Sequence, residues 1–181
     1  MTEQIIIAGS GGQGIMLLGK ALATAALKAD LNITWFPTYG AEVRGGAANC
    51  MVIISSEDIP SPYIDKADTL ITMNELSLLK FKQRIKNRGL LLVNKSLVKP
   101  RALKYKTADY IQFCLPFTEV AIKLGNIKVA NMVALGSYIA KKGIPAKQIV
   151  FAAIEDIAPR DKRDLIQINQ QAVEEGMRLI G

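Results

Sequence analysis

Glycine punctuates the start of this chain. Gly9-Ser10-Gly11-Gly12-Gln13-Gly14 spells G-x-G-x-x-G directly after the apolar, β-branched run Gln4 to Ala8. The same glycines open a helix-periodic stretch from Gln13 to Ala29, where Ile15, Leu18, Leu22, Ala25 and Ala26 fall on one face. Ile33 to Phe36 then reads as a second strand. Strand, glycine turn, helix and strand in that order make a βαβ unit, whose two strands run parallel. The expected fold is α/β: a three-layer, Rossmann-like domain with a mostly parallel sheet and helices on both faces. A length of 181 residues suits one domain, residues 1–181, with no linker to divide it.

The rest of the chain agrees with that class. Cys50 to Ser55, Thr69 to Met73, Leu90 to Val93 and Tyr110 to Cys114 read as further strands. Asn74 is placed to cap a helix from about Glu75 to Asn87, with Gly89 ending it. Helices are also expected over Thr118 to Leu124, Val129 to Lys142, Ala146 to Ile157 and about Lys162 to Leu179. Half the residues are hydrophobic and only 6% are aromatic, so the core should be aliphatic.

The glycine loop has several readings. Glycines let a backbone approach a ligand, and the free N–H groups at a helix start attract phosphate. A dinucleotide site also wants an acid at the end of the second strand. That strand ends in Phe36-Pro37-Thr38, so a cradle for another anion and a structural or partner-docking turn stay open beside NAD(P) binding. A second glycine-rich stretch, Pro37 to Cys50, holds Tyr39, Gly40, Glu42, Arg44, Gly45 and Gly46 just past a strand's carboxyl end. Its arginine fork suits a carboxylate or phosphate. A tight loop in which Glu42 and Arg44 serve a subunit contact explains the same residues.

Three ordered motifs, Gly11-Gly12-Gln13-Gly14, Tyr39-Gly40-Ala41-Glu42-Val43-Arg44-Gly45-Gly46 and Asn131-Met132-Val133-Ala134-Leu135-Gly136, resemble those of the gamma subunits of 2-oxoacid:ferredoxin oxidoreductases. The second motif looks closest to the 2-oxoglutarate and branched-chain members. The resemblance implies CoA-dependent oxidative decarboxylation of a 2-oxoacid to acyl-CoA and CO₂, with electrons passed to ferredoxin. It implies alpha and beta partner subunits, and a ferredoxin-like delta subunit in some complexes. Thiamine diphosphate, magnesium and iron–sulfur clusters would sit on those partners, with coenzyme A as co-substrate. The residues expected to contact a cofactor are Gly9, Gly11, Gly12, Gln13, Gly14, Tyr39, Gly40, Glu42, Arg44, Gly45, Gly46 and Asn131. For Asn131 two roles stay open, ligand contact and, favoured over it, the fastening of a loop backbone. No catalytic residue or metal ligand is assigned.

Composition excludes much chemistry. There is no histidine, so a Ser-His-Asp or Cys-His mechanism cannot be assembled from this chain. Two cysteines, Cys50 and Cys114, cannot supply the four thiolates of a cluster and read as small buried hydrophobes rather than a disulfide. The net charge is +7; Lys80, Arg84 and Arg88 fall at helical spacing on one expected face, read as solvated cations or a surface for an anionic partner. Interleaved aromatic residues are missing there, so nucleic acid is not expected. No signal peptide and no membrane-length apolar run is visible, and a soluble cytoplasmic protein is expected. The alternatives are a stand-alone nucleotide- or flavin-binding reductase and a non-catalytic basic scaffold.

Overall fold

The computed structural model describes residues 1–38, 48–103 and 109–181. Six strands form one sheet: β1 (Thr2–Gly9), β2 (Asn32–Thr38), β3 (Ala48–Ser55), β4 (Ala67–Thr72), β5 (Ile85–Asn94) and β6 (Ile111–Leu115). Their order is β2-β3-β1-β4-β5-β6. The pairs β1–β4, β4–β5 and β5–β6 are parallel, whereas β3 runs antiparallel to both β1 and β2. The sheet is therefore mostly parallel, as the α/β pattern requires.

The opening βαβ unit needs one correction. β1 and β2 point the same way but are not neighbours, because β3 lies between them. Only residues 39–47 separate β2 from β3, too short a connection for the crossover that a parallel pair needs, so the two pair antiparallel.

Alternation along the strands builds a core on each face of the sheet. On one face Ile5, Ile7, Val52, Ile54, Ile71 and Leu92 meet α1 (Ile15–Lys28), α4 (Phe117–Lys123), α5 (Ala130–Lys142), α6 (Lys147–Ile157) and α7 (Leu165–Arg178). On the other, Ile6, Met51, Ile53, Leu70, Leu91 and Val93 meet α2 (Glu75–Phe81), Ile64 and the short α3 (Pro100–Leu103). These are the three expected layers. α5 crosses α7 at two glycines: a Cβ on Gly136 would run into the carbonyl of Val173, and one on Gly176 into that of Val133. The Ser137 hydroxyl donates to Gly176 O across this crossing at 2.8 Å.

The helix expected to reach Asn87 stops early. α2 ends at Phe81, a 3-10 turn covers Lys82–Arg84, and β5 begins at Ile85. Arg84 explains the departure: its guanidinium donates to the carbonyls of Asp65 and Ile64 and lies against the rings of Tyr63 and Phe81. That tether brings Ile85 down beside Ala67 to be buried, and the register then shifts before Leu90 pairs with Thr69. Lys80, Arg84 and Arg88 consequently share no helical face. Gly89 is not a helix cap but the tight point of this irregular strand, where a Cβ would sit 2.9 Å from Lys86 O and 3.0 Å from Asp68 O. The left-handed residue is Arg88, with φ 62°.

Candidate functional site

The glycine loop leaves the carboxyl end of β1, at the point where the sheet order reverses between β1 and β4. Open α/β sheets bind ligands in this crevice. The loop closes on itself through Gln13: its Oε1 accepts from Ser10 N–H at 2.7 Å, and its own N–H donates to Ser10 O at 3.2 Å. Of the amides expected to face a ligand, the one of Gln13 is thus committed within the loop. Gly11 and Gly12 are exposed, with open space where a Cβ would stand.

A polar network ties the loop to the neighbouring strand ends. Asn74, just after β4, donates through Nδ2 to Ser10 Oγ at 2.7 Å and Gln13 Oε1 at 2.9 Å. Its Oδ1 accepts from Ser77 N–H at 2.9 Å and so caps α2. Gln13 Nε2 and Asn94 Nδ2, the latter at the end of β5, both donate to Met73 O, at 3.3 and 3.1 Å. Asn94 Nδ2 also donates to Thr118 Oγ1 at 2.8 Å, at the start of α4. Buried Asn94 and half-buried Gln13 and Asn74, satisfied in this way, fix three strand ends against one another.

Asn131 fastens the loop from the other side. It is 1% exposed, donates through Nδ2 to Gly14 O at 3.0 Å, and accepts from Met132 N–H at 2.9 Å. Gly14 has φ 69°, and a side chain there would collide with Asn131. The loop-fastening role expected of Asn131 is the geometry observed.

These elements border a cleft of about 180 Å³ lined by Gly12, Gln13, Met73, Leu97, Thr118, Ile127, Lys128 and Ala130. Lys128 brings an exposed cation and Thr118 a hydroxyl to an otherwise apolar recess. Cavities that enclose whole small molecules are typically about 300–1,000 Å³, so this one takes only a slender part of a larger ligand. Gly9, Gly11, Gly12, Gln13, Gly14 and Asn131 are brought together here. Tyr39, Gly40, Glu42, Arg44, Gly45 and Gly46 lie outside the described residues. Their flanks are nonetheless placed: Gly9 pairs with Ala48, and Thr38 with Asn49, so residues 39–47 leave and rejoin the sheet at the edge that carries the glycine loop.

Sequence reasoning took Asn74 only as a helix cap and missed Asn94, Thr118 and Lys128. Asparagines at the carboxyl ends of two parallel strands were the available signal. A dinucleotide clasp gains no support. β2 ends without an acid, and β3 sets it a further strand spacing of about 4.8 Å from the loop.

Two titratable groups with clear shifts, Cys50 and Tyr138, do not line the cleft. Burial pushes the Cys50 thiol up to about 12, against a smaller opposing pull from Trp35, and burial likewise pushes Tyr138 well above its ordinary value, with Glu3 and Asp68 adding to the rise. Cys50 is buried, as expected, but Cys114 is only half-buried, and the two are not bonded to each other. They sit on β3 and β6, with three strands between them, about 19 Å at ordinary strand spacing. This donor set does not fit an iron–sulfur cluster. Nor, among the described residues, do three or more His, Cys, Asp or Glu side chains gather where a metal ion could be held. None of the described helices is long and apolar enough to cross a membrane.

Comparison with known proteins gives a concordant picture. The family model for pyruvate ferredoxin/flavodoxin oxidoreductase matches residues 4–179. The 2-oxoglutarate synthase subunit KorC of Methanocaldococcus jannaschii is 37% identical, over 88% of this chain and 86% of that protein. The ketoisovalerate oxidoreductase subunit VorA of Methanothermobacter thermautotrophicus is 31% identical over 96% of this chain, which spans only 35% of that longer protein. Among solved structures, the gamma subunit of keto/oxoacid ferredoxin oxidoreductase from Geobacter sulfurreducens superposes with a TM-score of 0.84, at 27% identity and 98% coverage of both chains.

Proposed function

Because the chain belongs to the pyruvate ferredoxin/flavodoxin oxidoreductase family, we propose that it is the gamma-type subunit of a multi-subunit 2-oxoacid:ferredoxin oxidoreductase. The 2-oxoglutarate and branched-chain types fit best, since KorC and VorA are named for those substrates. The complex would convert 2-oxoacid and coenzyme A to acyl-CoA and CO₂ and reduce ferredoxin. Thiamine diphosphate on a partner subunit supplies the electron sink for decarboxylation, and magnesium and iron–sulfur clusters belong to partners as well.

The observation that carries this reading is the size and position of the cleft. At about 180 Å³ it admits an arm of a ligand and leaves the rest to a neighbouring chain. Within it Gly12, with the exposed Gly11 beside it, allows close backbone approach, Lys128 offers a cation to a phosphate of coenzyme A, and Thr118 offers a hydroxyl. Gln13, Asn74 and Asn131 hold the loop in shape. Arg44 would grip an acidic group, with Tyr39, Gly40, Glu42, Gly45 and Gly46 completing that stretch.

Reconstitution tests the proposal. The isolated chain should show no 2-oxoacid-dependent dye reduction, and adding its partner subunits should restore turnover that needs both thiamine diphosphate and coenzyme A. Turnover by this chain alone would overturn it.

A further inference from the structure

A second surface adjoins the cleft. Leu76 and Leu79 stand one turn apart on α2 and are 50% and 49% exposed; Leu97, 44% exposed, faces them across an open groove of about 710 Å³. Glu75, Ser96, Val98, Lys99 and Pro100 complete the groove. Leu97 lines the cleft as well, together with Ile127, which is 57% exposed. Four large aliphatic side chains thus form a continuous apolar track from α2 to the glycine loop. Contiguous exposed apolar surface of this kind marks sites of association. Its surroundings are basic: Lys95, Lys99 and Lys128 are exposed around the track, while the Glu75 carboxylate accepts a hydrogen bond from Lys99 N–H at 2.7 Å.

We infer that this track is the docking face for one partner subunit, the polypeptide that in the VorA relative is continuous with this domain. That relative carries the matching region as 35% of its length, so a domain of this kind there shares a chain with a larger neighbour. The counterpart of that neighbour is the occupant assigned to the track. It presents an apolar segment flanked by Asp and Glu, which answers four aliphatic side chains set among lysines. The inference rests on the subunit reading and sharpens it. Docking along the track seats the partner against the open side of the cleft, where the remainder of the ligand must be held.

The test uses the full chain mixed with its partner subunits. Leu76→Asp/Leu79→Asp and Leu97→Asp alter exposed positions and should unfold at the wild-type temperature. Their association with the partner should weaken by about tenfold or more, as loss of central apolar anchors does. Leu27→Asp, also exposed but on the last turn of α1, should associate as wild type does. Wild-type association should also weaken as salt rises, because exposed lysines contribute. Independently of any variant, hydrogen exchange should slow at residues 75–79 and 95–100 on assembly.

Undiminished association of the variants, in complexes that still turn over, would sink the docking face and leave the subunit reading intact. The same holds if exchange at these residues ignores assembly. A self-dimer of the isolated chain that the variants dissolve, with assembly unaffected, assigns the track to a second copy and overturns the inference. If wild type joins no oxidoreductase subunit at all, the subunit reading falls and this inference falls with it.

Discussion

Asn74 carries two tasks on one side chain, and a single substitution separates them. Its Oδ1 caps α2, while its Nδ2 holds Ser10 and Gln13 in the glycine loop. Asn74→Asp keeps an acceptor for the cap but loses both donated bonds and places a negative charge beside Gln13 Oε1. Asn74→Ala should lose about 1 kcal/mol through the missing cap. The Asp variant should keep that part of the stability, measured by urea unfolding, yet raise the KM for coenzyme A in the assembled complex. The cysteines make a second pair of opposites. Cys50 should resist alkylation in the native protein and Cys114 should react, with mass spectrometry showing one label before urea and two after. Because folding raises the Cys50 pKa from 9.0 to about 12, its neutral form stabilises the fold fully below pH 9. That contribution is lost as pH climbs toward 12, at up to about 1.4 kcal/mol per pH unit. Cys50→Ala should flatten this alkaline decline.

The α5–α7 crossing exists because two positions carry no side chain. Gly136→Ala or Gly176→Ala would drive a methyl into the opposite helix's carbonyl, and each should destabilise by about 1–3 kcal/mol in urea unfolding. This also explains the third motif in the sequence: Asn131 fastens the glycine loop at one end of it, and Gly136 admits α7 at the other. Elements whose ends coincide with local chemistry were readable from sequence. α5 stops at Gly143, which adopts the left-handed conformation, and β6 yields to α4 at Pro116. The end of α2 was not readable, because it depends on Arg84 reaching carbonyls of Ile64 and Asp65, some twenty positions earlier. The placement of β3 escaped for a related reason. Periodicity identifies a strand, but its neighbours are chosen by connection length and by the far side of the sheet. The glycine loop was found by its spacing, whereas Asn94 and Thr118 join the site only once β5 has taken its place in the sheet.

Both cores lean on strands β1, β3, β4 and β5, so neither helical layer can be stripped away without exposing the sheet. The whole chain is accordingly expected to unfold in one cooperative transition, with circular dichroism and tryptophan fluorescence changing together; two separated transitions would mean two domains. The family resemblance in three short motifs agreed with the match over residues 4–179, and the two described motifs, residues 11–14 and 131–136, occupy turn and packing positions. The inverted strand β3 has a consequence of its own. Thr38 and Asn49 form one rung of the ladder, and Gly9 and Ala48 the adjoining one, so the residues that flank 39–47 on both sides are held by the sheet. Lengthening that stretch costs only a logarithmic increment in closure entropy and leaves every other rung in register. Residues can therefore be added or removed at this edge while the scaffold beneath stays unaltered.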